Sequence, residues 1–224
     1  MSFPFKIYIR TTLQRTLDPS IARELGTNYT LLVDYNHDPV GSFISQLQEI
    51  SSSPALLLED DVILCHGFLQ EIEKAVSLYP SFVINFFTKP FDYFTTHIEF
   101  AHFVYNQCTY YPQGVSKKIA DRMILINDHR AAYDVLQNRA MTNLSIPYVI
   151  WRPCPVQHLD LDTLISESTS HRRRTRFFKD YLDELGITME EAYLYFYQLD
   201  KILKREFEQL DMITDGKKSS NKNP

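Results

Sequence analysis

The sequence has few cysteines, and they do not form a metal-binding pattern. Its three cysteines, Cys65, Cys108 and Cys154, are odd in number and far apart, and no two of them make a Cys-x-x-Cys pair. Structural zinc sites are built from such closely spaced pairs, so a site of that kind is not expected. We expect three reduced thiols, which are typical of a cytoplasmic protein.

Long apolar segments are also missing. No stretch approaches the roughly 20 consecutive apolar residues that a transmembrane helix needs. The first residues, 1–6, lack the charged start and the apolar run of a signal peptide. We therefore expect a cytoplasmic protein with no membrane span.

An excess of positive charge is absent as well, because 28 acidic residues stand against 23 basic ones and the net charge is −5. The overall field does not attract nucleic acid or anionic lipid, so any basic contact surface must be local. A hydrophobic content of 44% allows a full core. The length predicts one catalytic domain over residues 1–170, a C-terminal helical extension over 171–213 and a disordered tail over 214–224.

Hydrophobic periodicity predicts an α/β fold. Strand-like segments lie at 5–9, 29–34, 56–58 and 82–87, and helix-like segments at 18–25, 41–50 and 68–78. This alternation predicts a mostly parallel sheet with helices on both faces. Further helices are predicted over 116–123, with Ser116 as its cap, over 128–138, and over 176–212 with an interruption at Gly186; a strand is predicted over 148–151.

Three consecutive acids, Glu59, Asp60 and Asp61, stand between two apolar segments, 55–58 and 62–64. Buried charges are costly unless they are paired or bind a metal. Sheets of this kind bind ligands at the carboxyl ends of their strands, and clustered carboxylates suit Mg²⁺ or Mn²⁺ with a phosphate-bearing ligand. The segment predicts a divalent-metal enzyme acting on a nucleotide or another diphosphate. The alternative is a solvated turn of acids after an edge strand.

A dense basic cluster lies late in the chain and contains Arg172, Arg174 and Arg176. Arginine pairs with phosphate through two parallel N–H groups. The cluster is therefore predicted to hold a donor diphosphate as part of a closing loop, or the phosphate backbone of an acceptor. The alternative is a solvated start of a helix.

Residues 56–62, Leu-Leu-Leu-Glu-Asp-Asp-Val, resemble the metal-binding signature of GT-A glycosyltransferases, particularly of small bacterial and phage-type members. Segments 71–87, 110–118 and 153–158 are similar to other parts of the same families, so the resemblance covers roughly residues 5–170. It implies a Rossmann-type sheet and a nucleotide-sugar donor. The chain departs from the family in lacking a plain Asp-x-Asp motif.

The resemblance implies a set of metal ligands. Asp61 is the implied direct ligand, and Glu59 or Asp60 is either a second ligand or a contact of the donor ribose or sugar. His158, late in the chain, matches the position of a third ligand. An imidazole with two carboxylates suits Mn²⁺ better than Mg²⁺. The alternative for His158 is a hydrogen-bonded histidine of the core.

The resemblance also implies contacts to the substrates. The nucleotide base is expected near Arg10 and Thr11 at the end of the first strand, and Asp34 is expected to contact uracil or ribose. Asp128, at a predicted helix start, is the implied general base if the enzyme inverts the sugar configuration. The alternative for Asp128 is a helix N-cap, since aspartate is favoured there for helix stability alone.

The resulting prediction is a metal-dependent glycosyltransferase that uses UDP-glucose or a similar donor. A hydroxymethylpyrimidine in DNA is slightly favoured as the acceptor, because a local arginine cluster and an aromatic-rich middle suit a flipped base. Lipopolysaccharide or another glycan is the alternative acceptor. A phage-type enzyme of this kind would work in the host cytoplasm, and its C-terminal helices are a candidate homodimer surface. The rival functions are a metal-dependent phosphohydrolase or nuclease and a non-catalytic nucleotide- or DNA-binding module.

Overall fold

The computed structural model describes residues 3–12, 15–35, 38–87, 98–99, 106–128, 131–159, 178–195 and 198. The strands within these residues are β1 (Lys6–Thr11), β2 (Thr30–Val33), β3 (Ala55–Glu59), β4 (Val62–Leu64), β5 (Val83–Asn85), β6 (Ile98–Glu99), β7 (Cys108–Tyr111), β8 (Tyr148–Ile150) and β9 (Val156–His158). The helices are α1 (Pro19–Leu25), α2 (Pro39–Glu49), α3 (Phe68–Leu78), α4 (Val115–Ile126), α5 (Tyr133–Asn143) and α6 (Lys179–Leu185), with a 3₁₀ turn at Ile50–Ser52.

The central sheet has the strand order β2-β1-β3-β7-β5-β8-β6. β1 is parallel to both β2 and β3, and β5 is parallel to β8. β7 is antiparallel to β3 and β5, and β6 is antiparallel to β8. Five strands therefore run in one direction and two run in the other. The predicted α/β fold with a mostly parallel sheet is confirmed, whereas the insertion of β7 between β3 and β5 was not predicted.

The sheet carries a hydrophobic core on each face. In β3, Leu56 and Leu58 belong to the core formed with α1 and α3, while Leu57 belongs to the core formed with α2, α4 and α5. Successive strand residues point to opposite faces, so a strand covered on both sides must be apolar throughout. This explains the unbroken apolar run that precedes the three acids.

A second, two-stranded sheet pairs β4 with β9 in antiparallel register, with Val62 opposite His158. β4 begins directly after Asp61, so this pairing carries His158 from the late part of the chain to the acids. The apolar residues of β4 are visible in the sequence, but they did not lead to the prediction of a strand. The small sheet is what assembles the site described below.

Strong local signals predicted two helices correctly. α1 has Asp18 at its N-cap, where the side chain accepts a hydrogen bond from the backbone N–H of Ser20 at 2.8 Å, and it ends at Gly26. Aspartate at the N-cap and proline in the first turn are favoured at helix starts. α3 runs from Phe68 to Leu78, as predicted.

Two helices in the middle of the chain begin elsewhere than predicted. α4 starts at Val115 after Gly114, which takes a left-handed φ of 73°, so Ser116 lies buried in the first turn and the prediction that it caps the helix is wrong. α4 then continues to Ile126 and ends at Asn127, whose φ is 48°. The helix predicted over 128–138 is present, but its predicted start at 128 is wrong, because α5 begins at Tyr133 and runs to Asn143.

The interruption predicted at Gly186 is confirmed, whereas Phe178, which was predicted to be helical, is extended and α6 begins after it at Lys179. α6 ends at Gly186, which takes a left-handed φ of 64°, and residues 189–195 are helical again. The backbone N–H of Thr188 donates to the Glu191 carboxylate, and the backbone N–H of Glu191 donates to the Thr188 hydroxyl. Together these two hydrogen bonds form a capping box. The start of the predicted helix at 176 and its end at 212 lie outside the described residues. No helix among the described residues combines the length and the apolar character needed to cross a membrane.

Candidate functional site

The three acids end β3 and separate into two groups. Glu59 is the last residue of β3, and Asp60 and Asp61 form the bend before β4. Asp60 and Asp61 are 5% and 6% exposed, so both carboxylates are buried at the carboxyl end of the strand. Glu59 contacts the α2 and α5 side of the sheet, whereas the two aspartates contact the loop before α1. A buried acid pair rather than a solvated turn is therefore what the structure shows.

One arginine bridges the two aspartates. Nη1 of Arg15 lies 2.8 Å from Oδ1 of Asp60 and 2.8 Å from Oδ2 of Asp61. The backbone N–H of Thr12 donates a further hydrogen bond to Oδ2 of Asp60 at 3.3 Å. Two buried carboxylates thus share one guanidinium, whose single charge does not balance two carboxylates by itself.

His158 approaches the same pair from β9. Its Nε2 lies 3.5 Å from Oδ2 of Asp61, and its Nδ1 hydrogen-bonds the carbonyl of Leu159. A carbonyl only accepts, so Nδ1 is the donor, and in the neutral ring Nε2 then presents a lone pair towards the carboxylate. A proton or a cation between the two groups would join them. Metal-binding histidines commonly have this second hydrogen bond to a carbonyl.

The chemistry of these donors fits a divalent cation. Oδ1 of Asp61 is buried, and in the described part of the chain it has no hydrogen-bond partner. A buried carboxylate oxygen left in this way costs free energy, which a bound cation would recover. As they stand, however, no three or more His, Cys, Asp or Glu side chains among the described residues form a group that could hold a metal. Asp60, Asp61 and His158 are side chains of the type that bind divalent cations. In the structure, however, both aspartates contact Arg15.

Glu59 belongs to a separate buried cluster around Arg10. The guanidinium of Arg10 lies over the neighbouring rings of Phe43 and Tyr133, at 4.7 and 4.6 Å from their centroids. Arg10 donates to Oε1 of Gln46 at 2.6 Å and to Oε1 of Glu59 at 2.8 Å, and the Tyr133 hydroxyl also donates to Glu59 at 2.8 Å. The cluster ties β1 and β3 to α2 and α5.

Burial raises the pKa of Glu59 to about 7, against the opposing attraction of Arg10. Both side chains were predicted to contact the nucleotide donor. In the structure the two side chains form a buried ion pair, which stabilises the end of β3 against β1. Their contact with a ligand stays a prediction.

A cavity of about 380 Å³ lies at the carboxyl end of β2. It is lined by Leu32, Val33, Asp34, Tyr35, Asp38, Gly41, Ser42, Ser45, Gln46 and Glu49. Asp34 adjoins Thr11, because its backbone N–H donates to the Thr11 carbonyl at 2.9 Å. The volume falls within the range of small-molecule sites. Gln46 joins the cavity to Arg10 and thereby to the end of β3.

Asp128 lies between α4 and α5 rather than at a helix start. Its Oδ2 forms an ion pair with Nη1 of Arg139 at 2.6 Å, on the exposed side of α5. This ion pair engages one of the two carboxylate oxygens of Asp128. The general-base role of Asp128 stays a prediction. Arg172, Arg174 and Arg176 lie outside the described residues.

Two residues of the site were missed in the sequence analysis. Arg15 is separated from Asp60 by 45 positions, and it stands in no motif. Tyr133 was part of a helix predicted with the wrong start, so its contact with Glu59 was not foreseen. Only the folded arrangement of β1, β3 and α5 brings these side chains to the acids.

A scan of the chain against models of known protein families finds no match, and a search of curated proteins finds none that matches it. The functional interpretation therefore depends on the residues of the site themselves.

Proposed function

We propose that the protein is a metal-dependent glycosyltransferase of the GT-A type, which moves a sugar from a nucleotide-sugar donor to an acceptor hydroxyl. The observation that carries this proposal is the buried Asp60–Asp61 pair at the carboxyl end of β3, with the Nε2 of His158 turned towards it. Ligands of open α/β sheets bind at these strand ends. Acids buried there support a cation-dependent site, because Oδ1 of Asp61 has no hydrogen-bond partner in the described part of the chain even though Arg15 pairs with both aspartates.

Asp60, Asp61 and His158 are the residues that would hold the cation. When bound, a divalent cation neutralises the negative charge that develops on a leaving diphosphate. Two carboxylates and an imidazole favour Mn²⁺ over Mg²⁺. The protein supplies the buried setting, in which these charges act more strongly than they would in water.

The cavity beside β2 is the proposed position of the nucleoside. Asp34 is an acceptor at its edge, suited to a ribose hydroxyl or to an N–H group of a base. Thr11 and Asp34 are joined through their backbones, so the first two strands present one continuous edge to such a ligand. UDP-glucose or a similar UDP-sugar is the proposed donor.

The proposed acceptor is a hydroxymethylpyrimidine in DNA, with a glycan hydroxyl as the alternative. Support for DNA comes from the sequence, in the cluster of Arg172, Arg174 and Arg176, because arginine side chains bind phosphates. Asp128 is the proposed base for the acceptor hydroxyl, and its ion pair with Arg139 engages one of its two oxygens.

Calorimetric titration of UDP, UDP-glucose, UDP-GlcNAc and UDP-galactose tests the proposal. We expect one UDP-sugar to bind in the presence of Mn²⁺, and Asp61→Ala to weaken that binding by more than about tenfold, the loss seen when even a partner of a metal ligand is removed. Asp121→Ala is the matched control, because Asp121 is an exposed acid of α4 that pairs with Lys117. Donor binding that is unchanged without Mn²⁺, or unchanged in Asp61→Ala, would contradict the proposal. Failure of every UDP compound to bind would exclude a UDP donor.

A further inference from the structure

We propose that Arg15 is the resident cation of the Asp60–Asp61 pair, and that a divalent cation binds by exchanging with its guanidinium. This inference rests on the metal-binding half of the proposed function. It assigns a role to a residue that no sequence motif singles out. It also explains why donors suited to a metal are closed around an arginine.

Arg15 contacts both aspartates through a single nitrogen atom. A single nitrogen, Nη1, lies 2.8 Å from an oxygen of each aspartate. Arginine most often holds one carboxylate through two parallel N–H groups. Here the two oxygens converge on one atom, as the ligands of a bound cation do.

Arg15 by itself does not balance two carboxylates. It contributes one charge to two carboxylates whose side chains are 6% and 9% exposed. Oδ1 of Asp61 is buried and has no hydrogen-bond partner in the described part of the chain, and Nε2 of His158 faces Oδ2. A divalent cation would balance both carboxylates and also give Oδ1 of Asp61 a partner. The site therefore favours a doubly charged occupant over Arg15.

Arg15 is placed so that it can withdraw. It lies in the loop between β1 and α1, outside the sheet ladders, and its backbone N–H donates to the Thr12 carbonyl at 3.3 Å. Its long side chain can swing away while β1, β3 and β4 keep their pairing. After the exchange its guanidinium remains beside the site, where it suits a phosphate group that arrives with the metal.

Mn²⁺ binding to the full chain without any nucleotide tests the exchange. Free Mn²⁺ is measured by electron paramagnetic resonance during titration of the wild type, Arg15→Gln and Arg23→Gln. We expect Arg15→Gln to bind Mn²⁺ at least about tenfold more tightly than the wild type, because the competing charge is gone. Arg23→Gln removes the same charge from α1, where Arg23 pairs with Glu24 and donates to the Leu64 carbonyl but contacts neither aspartate, and it should bind like the wild type.

Equal Mn²⁺ affinity in Arg15→Gln and the wild type would overturn the inference. If Arg15→Gln does not fold, arginine side-chain NMR of the wild type with Mg²⁺ replaces the titration, with the Arg15 signal assigned from Arg15→Lys. That signal should shift as Mg²⁺ saturates the protein, and an unchanged signal at saturation overturns the exchange.

The inference and the proposed function fail in different ways. Tighter Mn²⁺ binding in Arg15→Gln, with no UDP compound bound by any form, supports the exchange and contradicts the UDP-sugar donor. Mn²⁺-dependent binding of a UDP-sugar, with identical Mn²⁺ affinities in the wild type and Arg15→Gln, supports the donor and overturns the exchange.

Discussion

Neighbouring residues at the end of β3 do different work because successive side chains of a strand point to opposite faces. Glu59 pairs in register with Arg10 of β1, and both side chains face α2 and α5. Asp60 faces the other way, towards the loop that carries Arg15. One strand end thus supplies a closed structural pair on one face and a pair of carboxylates that shares a cation on the other.

Glu59 should make the protein less stable as the pH rises. Its pKa in the folded state is about 7, above its ordinary value of 4.5, because burial disfavours the charged form. Its stabilising effect is then fully present below about pH 4.5 and is lost as the pH rises through about 7. The difference corresponds to at most about 3 kcal/mol. In Glu59→Gln this part of the pH dependence should disappear, as measured by urea unfolding at pH 5, 6, 7 and 8.

Asp121→Asn is the control for this experiment. Asp121 is an exposed acid whose pKa is lowered by its hydrogen bond with Lys117, so its stabilising effect is lost only at acidic pH. In Asp121→Asn, the slope of the free energy of unfolding against pH between pH 5 and 8 should be the same as in the wild type. A slope in Glu59→Gln as steep as in Asp121→Asn would show that Glu59 does not titrate in this range.

At the residue scale, the sequence led to some of the site and not to the rest. Asp61 and His158 were singled out together, and the structure places them 3.5 Å apart; their role as metal ligands stays a prediction. Arg15 was not found, because an arginine in a loop has no local signature and its partners are far away in the chain. Such pairings are determined by tertiary contacts, which a single sequence does not display.

At the scale of elements, local chemistry separates the helices that were predicted from those that were not. α1 carries its own start and stop signals in Asp18, Pro19 and Gly26, so its bounds can be read directly. α5 starts after Ala132, which has no side-chain cap, while Asp128 upstream offers a false one. The place of β7 between β3 and β5 depends on pairing between distant segments, and no local pattern specifies it.

Loss of the cap of α1 should destabilise the protein and the region of the site together. Asp18 accepts a hydrogen bond from the N–H of Ser20, and the Ser20 hydroxyl in turn accepts one from the N–H of Leu64 in β4 at 2.9 Å. Asp18→Ala should lower the free energy of unfolding by about 1 kcal/mol, as measured by urea unfolding. Asp18→Asn keeps the cap and should stay within a few tenths of a kcal/mol of the wild type. Equal stability of the two variants would show that the cap contributes nothing.

At the scale of the whole molecule, one sheet separates two cores, and the two cores should therefore unfold together. Trp151, the single tryptophan, packs in the core with α1 and α3, while Leu57 lies in the core with α2, α4 and α5. Neither core can lose its side of β3 without exposing the strand that the other core covers. The position of the acids, at the end of that shared strand, makes the site depend on both.

Leu57→Ala tests this coupling, because it opens a cavity on the face opposite Trp151. We expect the free energy of unfolding to fall by about 2–5 kcal/mol, with the same urea midpoint by Trp151 fluorescence and by circular dichroism. Leu125→Ala is the control, since Leu125 is 73% exposed and its loss should change stability by no more than about 0.5 kcal/mol. A Trp151 midpoint that stays at the wild-type value while the circular dichroism midpoint falls would mean that the two faces unfold separately. The end of β3 could then not be treated as one rigid platform for Asp60, Asp61 and Glu59.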